Sequence, residues 1–167
     1  MIAVENQVVI QPVSVAAIFD APNSSDLFQA NAAECLVPGA QPQREVYEAM
    51  ERAGILHCFG AYTYVDSFEM YAINGYPSLL IGFGSVICGV MPHIGKSLAT
   101  VESLFVDPAY RSTEAGNRLL DAIEQCAVDA GCVAVTSAAR VGSAFDKVLS
   151  RRSGYTLTHS QHTRWLA

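Results

Sequence analysis

The chain alternates between two hydrophobic periods, and the changes of period mark its elements. Val8–Val13, V-V-I-Q-P-V, reads as a first strand. From Asn23 to Val37 the apolar residues Leu27, Phe28, Ala32, Cys35 and Leu36 fall on one helical stripe, behind a cap at Ser24, Ser25 or Asp26. Pro38-Gly39 breaks that helix. A second helix runs from Gln43 to Ala53, with Val46, Tyr47, Met50 and Ala53 on one side. Ile55–Val65 returns to a strand pattern, and Phe68–Ile73 continues it after a turn. Asn74-Gly75 is a strong hairpin signal. Ser78–Val90 is a long apolar run of buried-strand character, followed by the polar segment Met91–Ser97.

The most informative stretch is Val101 to Gly131. Leu98–Asp107 reads as a strand that Pro108 stops, and Arg111–Gly116 is a small polar loop. Beyond it Leu119, Leu120, Ile123, Cys126, Ala127 and Ala130 recur on one face of a helix, with Gly131 placed for a left-handed cap. Cys132–Ala138 is a short apolar strand, parallel to the one before the helix because a helix connects them. A last helix at Gly142–Arg152 and a last strand at Tyr155–Leu166 follow. A loop that opens a helix leaves backbone N–H groups unpaired, and these favour an anion. Arg111 adds a fixed positive charge, so the local pattern is that of a pyrophosphate cradle.

Val106-x-Pro108-x-Tyr110-Arg111-x-x-x-x-Gly116-x-x-Leu119-Leu120 resembles the acetyl-CoA-binding motif of the GNAT superfamily of N-acetyltransferases. That family's loop runs Arg/Gln-x-x-Gly-x-Gly/Ala; here Glu114 stands where the first glycine is expected. The Arg-x-x-x-Ala-Gly form looks like the phage-borne branch of the family. The resemblance is strong over residues 78–154 and architectural elsewhere. It implies an α/β (α+β) fold with a mixed sheet of about six or seven strands and about four helices. Two parallel strands would splay apart to hold acetyl-CoA.

The resemblance implies that backbone at Leu104, Phe105 and Val106 pairs with the pantetheine arm and supplies an oxyanion donor. Backbone of Arg111, Ser112, Thr113, Glu114, Ala115, Gly116 and Asn117 would hold the pyrophosphate. Thr136 and Ser137 would lie near the gap. Glu102 is the expected general base, two residues before Leu104 and hence on its strand face, with Glu69 and Asp66 as weaker candidates. The family's usual tyrosine acid, counted back from Gly154, corresponds to Ser150. The implied function is direct transfer of an acetyl group to an amine acceptor. The alternative is a catalytically silent CoA-binding or structural protein of the same fold.

Composition narrows the partners. A length of 167 residues suits one domain spanning the whole chain, able to bury about two-thirds of its surface. With 51% apolar residues a core is available, and no apolar run reaches the ~18 residues of a membrane span. The N-terminus lacks the pattern of a signal peptide, so a cytoplasmic protein is expected. The net charge of −6 argues against nucleic acid. Residues 1–110 hold 3 basic and 11 acidic residues, against 7 and 5 in residues 111–167, a split that suits a cationic amine and an anionic nucleotide respectively. A homodimer stays open. The five cysteines form no C-x-x-C pair and are expected to be reduced. His57 and Cys58 are adjacent on a strand and cannot pair directly. His159 and His162 take opposite faces, so no metal site is expected.

Overall fold

The computed structural model describes residues 8–34, 41–64 and 78–158. The chain divides into two compact units, Met1–Ser137 and Ala138–Ala167, which are taken in turn.

The first unit is built on one five-stranded sheet. Strands β1 (Val8–Val13), β2 (Leu56–Tyr64), β3 (Ser78–Met91), β4 (Lys96–Val106) and β5 (Val135–Ser137) lie side by side in chain order. The first three pairings are antiparallel, and β4–β5 is parallel. The mixed sheet is therefore as expected. Its strand number is five among the described residues rather than six or seven. The hairpin at Asn74-Gly75 and most of the last expected strand lie outside the described residues, and residues 155–158 form no strand.

Among the described residues, three helices precede β2. Helix α1 (Val15–Phe19) was not visible as a period because it is only 5 residues long. Ser14 caps it, its Oγ accepting from Ala17 N at 3.1 Å, and Val15 N donates to Glu51 Oε1 at 2.8 Å. Helix α2 spans Ser24–Glu34 and α3 spans Arg44–Arg52. Their apolar sides meet one face of the sheet. Val15, Ile18 and Leu27 are buried there with Cys58, Phe83 and Phe105. The rings of Phe28 and Phe83 meet edge-on at 5.5 Å.

The other face carries α4 (Ala115–Asp129). Its Ala115, Leu119, Leu120, Ile123 and Ala127 are fully buried; of the expected stripe, Cys126 is half-buried and Ala130 exposed. Burying each of the larger three contributes about 1.5–3 kcal/mol. Gly131 takes φ 71°, and Cys132 N closes the cap on Ala127 O at 2.9 Å. Close packing of this layer needs glycine at two points of β3. A Cβ at Gly82 would come 2.7 Å from Phe105 O, and one at Gly84 would come 3.0 Å from Ile123 Cδ1.

The second unit contributes α5 (Ala144–Arg151), which brings the described helices to five rather than about four. Ser143 Oγ accepts from Asp146 N at 3.1 Å, and Asp146 Oδ2 accepts from Gly142 N at 2.8 Å. Cap and first turn thus satisfy each other's amides.

Candidate active site

The pairing of β3 with β4 slips by one residue. Ser85 lies opposite Ser103 and Val86 opposite Val101, so Glu102 is the extra residue of a β-bulge. The bulge re-aims its side chain. Gly84 faces α4, and so does Leu104 across from it. Glu102 instead reaches Ser85, on the face of Phe83 and Phe105. The expectation that Glu102 and Leu104 share a face is therefore corrected: strict alternation fails where a residue is inserted.

Two hydroxyls hold the carboxylate. Tyr47 Oη, from α3, donates to Oε1 at 2.7 Å, and Ser85 Oγ donates to Oε2 at 2.7 Å. Glu102 and Ser103 line a cavity of about 230 Å³ between the sheet and the three N-terminal helices. Its walls are mostly apolar, with Ile18, Phe28 and Phe83 among them. Sequence reasoning missed Tyr47 and Ser85 as site residues. The one usable signal was a serine inside the otherwise apolar run of β3.

Cys58 lines the same cavity and is only 5% exposed. Burial pushes its thiol up to about 12, and the Glu51 and Glu102 carboxylates add to that. Such a thiol stays protonated at neutral pH and is a poor nucleophile. His57, its neighbour on β2, is offset by the strand pleat.

On the β5 side, β4 loses its partner. The parallel pairing covers only Ala99–Val101 with Val135–Ser137. Asp107 N donates to Ile81 O on β3 at 2.9 Å. Counting back by alternation, the backbone groups of Phe105 point to β3, while those of Leu104 and Val106 point away from it. Of the three backbone positions expected to meet a cofactor, Leu104 and Val106 have the right direction and Phe105 does not. Ser137 Oγ, at the end of β5, is buried without a hydrogen-bond partner among the described residues.

The loop after β4 is tightly tied. Asp107 Oδ1 caps the 3-10 turn Pro108–Tyr110 by accepting from Ala109 N at 2.8 Å. Arg111 does not project into the loop as the expected free cation. Its Nε donates to Val106 O at 2.9 Å, its Nη2 pairs with Glu34 at 2.5 Å, and its guanidinium stands 5.4 Å from the Phe105 ring. Thr113 Oγ1 donates to Tyr110 O and accepts from Ala115 N. Glu114 is exposed and accepts from Asn117 Nδ2 at 3.3 Å. Among the described residues, the amides of Ser112, Glu114, Gly116 and Asn117 find no acceptor. A Cβ at Gly116 would meet nothing nearer than Val106 at 3.8 Å. Free donors, an outward-turned Glu114 and open space at Gly116 fit a phosphate group at this helix start.

The model of the acetyltransferase (GNAT) family matches residues 43–144. The chain belongs to that family. Its class is that of an N-acetyltransferase, and GNAT acetyltransferases use acetyl-CoA. The phage-borne branch is not distinguished by this match. No curated protein sequence matches the chain. Among solved structures, it is similar to an aminoglycoside acetyltransferase from an uncultured soil metagenomic sample in complex with sisomicin. There the TM-score is 0.69 at 15% identity, covering 96% of each chain. A ribosomal-protein-alanine N-acetyltransferase from Brucella melitensis biovar Abortus 2308 gives 0.65 at 16%, over 96% of this chain and 100% of that one. AAC(6')-Iy in complex with the bisubstrate analog CoA-S-monomethyl-acetylneamine gives 0.65 at 14%, over 96% and 99%. At these identities the likeness concerns the fold alone.

The weaker base candidates Glu69 and Asp66 lie outside the described residues, as do His159 and His162. Ser150 lies in α5 of the second unit and is exposed. Among the described residues no group of three or more His, Cys, Asp or Glu side chains is arranged to hold a metal ion, and no helix is long and apolar enough to cross a membrane.

Proposed function

We propose that the protein moves the acetyl group of acetyl-CoA directly to a primary amine, with Glu102 as the proton acceptor. The observation that carries this is the placement of Glu102. It is fixed by Tyr47 and Ser85 on the wall of a half-open cavity, two residues before the strand segment whose backbone turns away from its neighbour. An amine is protonated near neutral pH and cannot attack until it loses a proton. Glu102 accepts that proton, directly or through one water. The amine nitrogen then bonds to the acetyl carbon, and the carbon–sulfur bond breaks. An N–H of Leu104 or Val106 stabilises the carbonyl oxygen, a contribution worth about 10²- to 10³-fold. The nitrogen sheds its remaining extra proton to solvent, and the leaving thiolate takes one from solvent, since Ser150 is a poor acid. Cys58 argues against an acetyl-enzyme, because its thiol is held neutral.

Acetyl-CoA would supply the activated acetyl group. Backbone at Leu104 and Val106 would meet its pantetheine arm, and the free amides of Ser112, Glu114, Gly116 and Asn117 its pyrophosphate. The Arg-x-x-x-Ala-Gly loop supports placement near the phage-borne branch, and free thiols at the four described cysteines suit a reducing, cytoplasmic setting. Thermal unfolding with and without acetyl-CoA tests cofactor binding. At 100 times Kd the native state gains about 2.7 kcal/mol. No shift at millimolar acetyl-CoA would overturn the proposal.

A further inference from the structure

The cavity beside Glu102 constrains the acceptor more closely than the family does. Resting on the acetyl-transfer proposal above, we infer that the acceptor is a compact amine with a single positive charge and an apolar body.

Three observations converge on this. The first is size. A volume of about 230 Å³ falls below the roughly 300–1,000 Å³ of sites for drug-sized ligands.

The second is the wall. Four aromatic rings, Phe19, Phe28, Tyr47 and Phe83, line the space, with aliphatic side chains from α1 between them. An apolar body gains about 25 cal/mol for each Å² it removes from water here.

The third is charge. Among the described residues lining the cavity, Glu102 supplies the one carboxylate. The other acids on α1–α3 and the turn after α1 do not line the cavity, and four of them are engaged. Asp20 and Glu48 both hold Arg44, Glu34 holds Arg111, and Glu51 accepts from the backbone of Val15. The polar lining side chains Asn31 and Gln41 are neutral. One ammonium can therefore be matched by Glu102, whereas a second would be desolvated without a partner. A polyamine or an amino sugar bearing several ammonium groups is disfavoured on that ground.

The test compares 2-phenylethylamine, spermidine and sisomicin as acceptors for the full chain, following release of free CoA from acetyl-CoA. A parallel thermal-shift measurement with acetyl-CoA alone separates the two levels of the argument. The expected result is acetylation of 2-phenylethylamine with a kcat/KM at least about tenfold above either polycation. The variant Asn31→Asp places a second carboxylate on the cavity wall. It is expected to narrow the gap between spermidine and 2-phenylethylamine by about tenfold. Equal or better turnover of the polycations overturns the inference. So does failure to acetylate 2-phenylethylamine by a protein that acetyl-CoA stabilises; the acetyl-CoA proposal then stands without it. If acetyl-CoA produces no stabilisation, the acetyl-transfer proposal itself has failed.

Discussion

Tyr47 donates its hydroxyl to Glu102 at 2.7 Å across 55 residues of chain. One partner comes from a helix packed on the sheet and the other from a bulge within it. With Ser85 on the second oxygen, the carboxylate is fixed at both ends. Replacing Tyr47 by Phe removes one donor to the carboxylate and leaves the ring. Hydrogen bonds to charged groups contribute about 1.5–3 kcal/mol. This one lies at an exposed position, so the lower end of that range applies. We expect kcat/KM for any accepted amine to fall by about tenfold, with the melting temperature lowered by only a few degrees. An unchanged kcat/KM would show that Glu102 needs no such orientation.

Two glycines separate folding from binding. Gly82→Ala drives a Cβ to within 2.7 Å of the Phe105 carbonyl, so strands must shift. A loss of about 1–3 kcal/mol in urea unfolding is expected. Gly116→Ala meets only Val106 at 3.8 Å and sits inside α4. There alanine is favoured over glycine by about 0.5–1 kcal/mol. This variant should be at least as stable as the wild type yet bind acetyl-CoA more weakly, because the methyl group occupies the phosphate's space. Undiminished affinity in calorimetry would move the pyrophosphate elsewhere.

Glu114 turns its carboxylate toward Asn117 and solvent. Glu114→Gly should therefore change acetyl-CoA affinity by less than about threefold at physiological salt, where exposed charges are screened. A tightening beyond tenfold would mean that the side chain faces the ligand.

Cys58 gives a pH signature. Its thiol has an ordinary value near 9 and is pushed up to about 12 in the folded chain, chiefly by burial. Between those values the folded state keeps a proton that the unfolded state has released. Stability is therefore full below about pH 9 and falls as pH rises toward 12. Burial also raises Cys88 and Cys126, so Cys58→Ala should flatten the decline without abolishing it. Urea midpoints at pH 8 and pH 10 measure it. Equal slopes in both proteins would contradict the assignment.

What the sequence revealed was mostly local. The Leu119–Ala127 stripe, the Gly131 cap and the strand before Pro108 each depend on neighbours a few residues away, and each formed where its period placed it. Glu102 was singled out by type and position, but its direction was not legible. The bulge that turns it arises from the register against β3. Arg111 was expected to face a phosphate, and its ion pair with Glu34 spans 77 residues that no local pattern connects. Tyr47 was read correctly as part of an apolar stripe, yet its hydroxyl serves the site. Helix α1 escaped because 5 residues hold too little of a period to recognise.

The most direct test of direct acetyl transfer with Glu102 as base is the rate of CoA release by Glu102→Gln. It is compared with wild type on one amine acceptor across pH, with acetyl-CoA affinity measured alongside. The substitution keeps shape but removes the proton acceptor. The account expects kcat to fall by about 10²- to 10⁴-fold, the acidic limb of the wild-type kcat/KM profile to change, and acetyl-CoA affinity to stay within about twofold. Full kcat with an unaltered profile would contradict it and leave Glu102 a carboxylate that merely ties β4 to Tyr47 and Ser85.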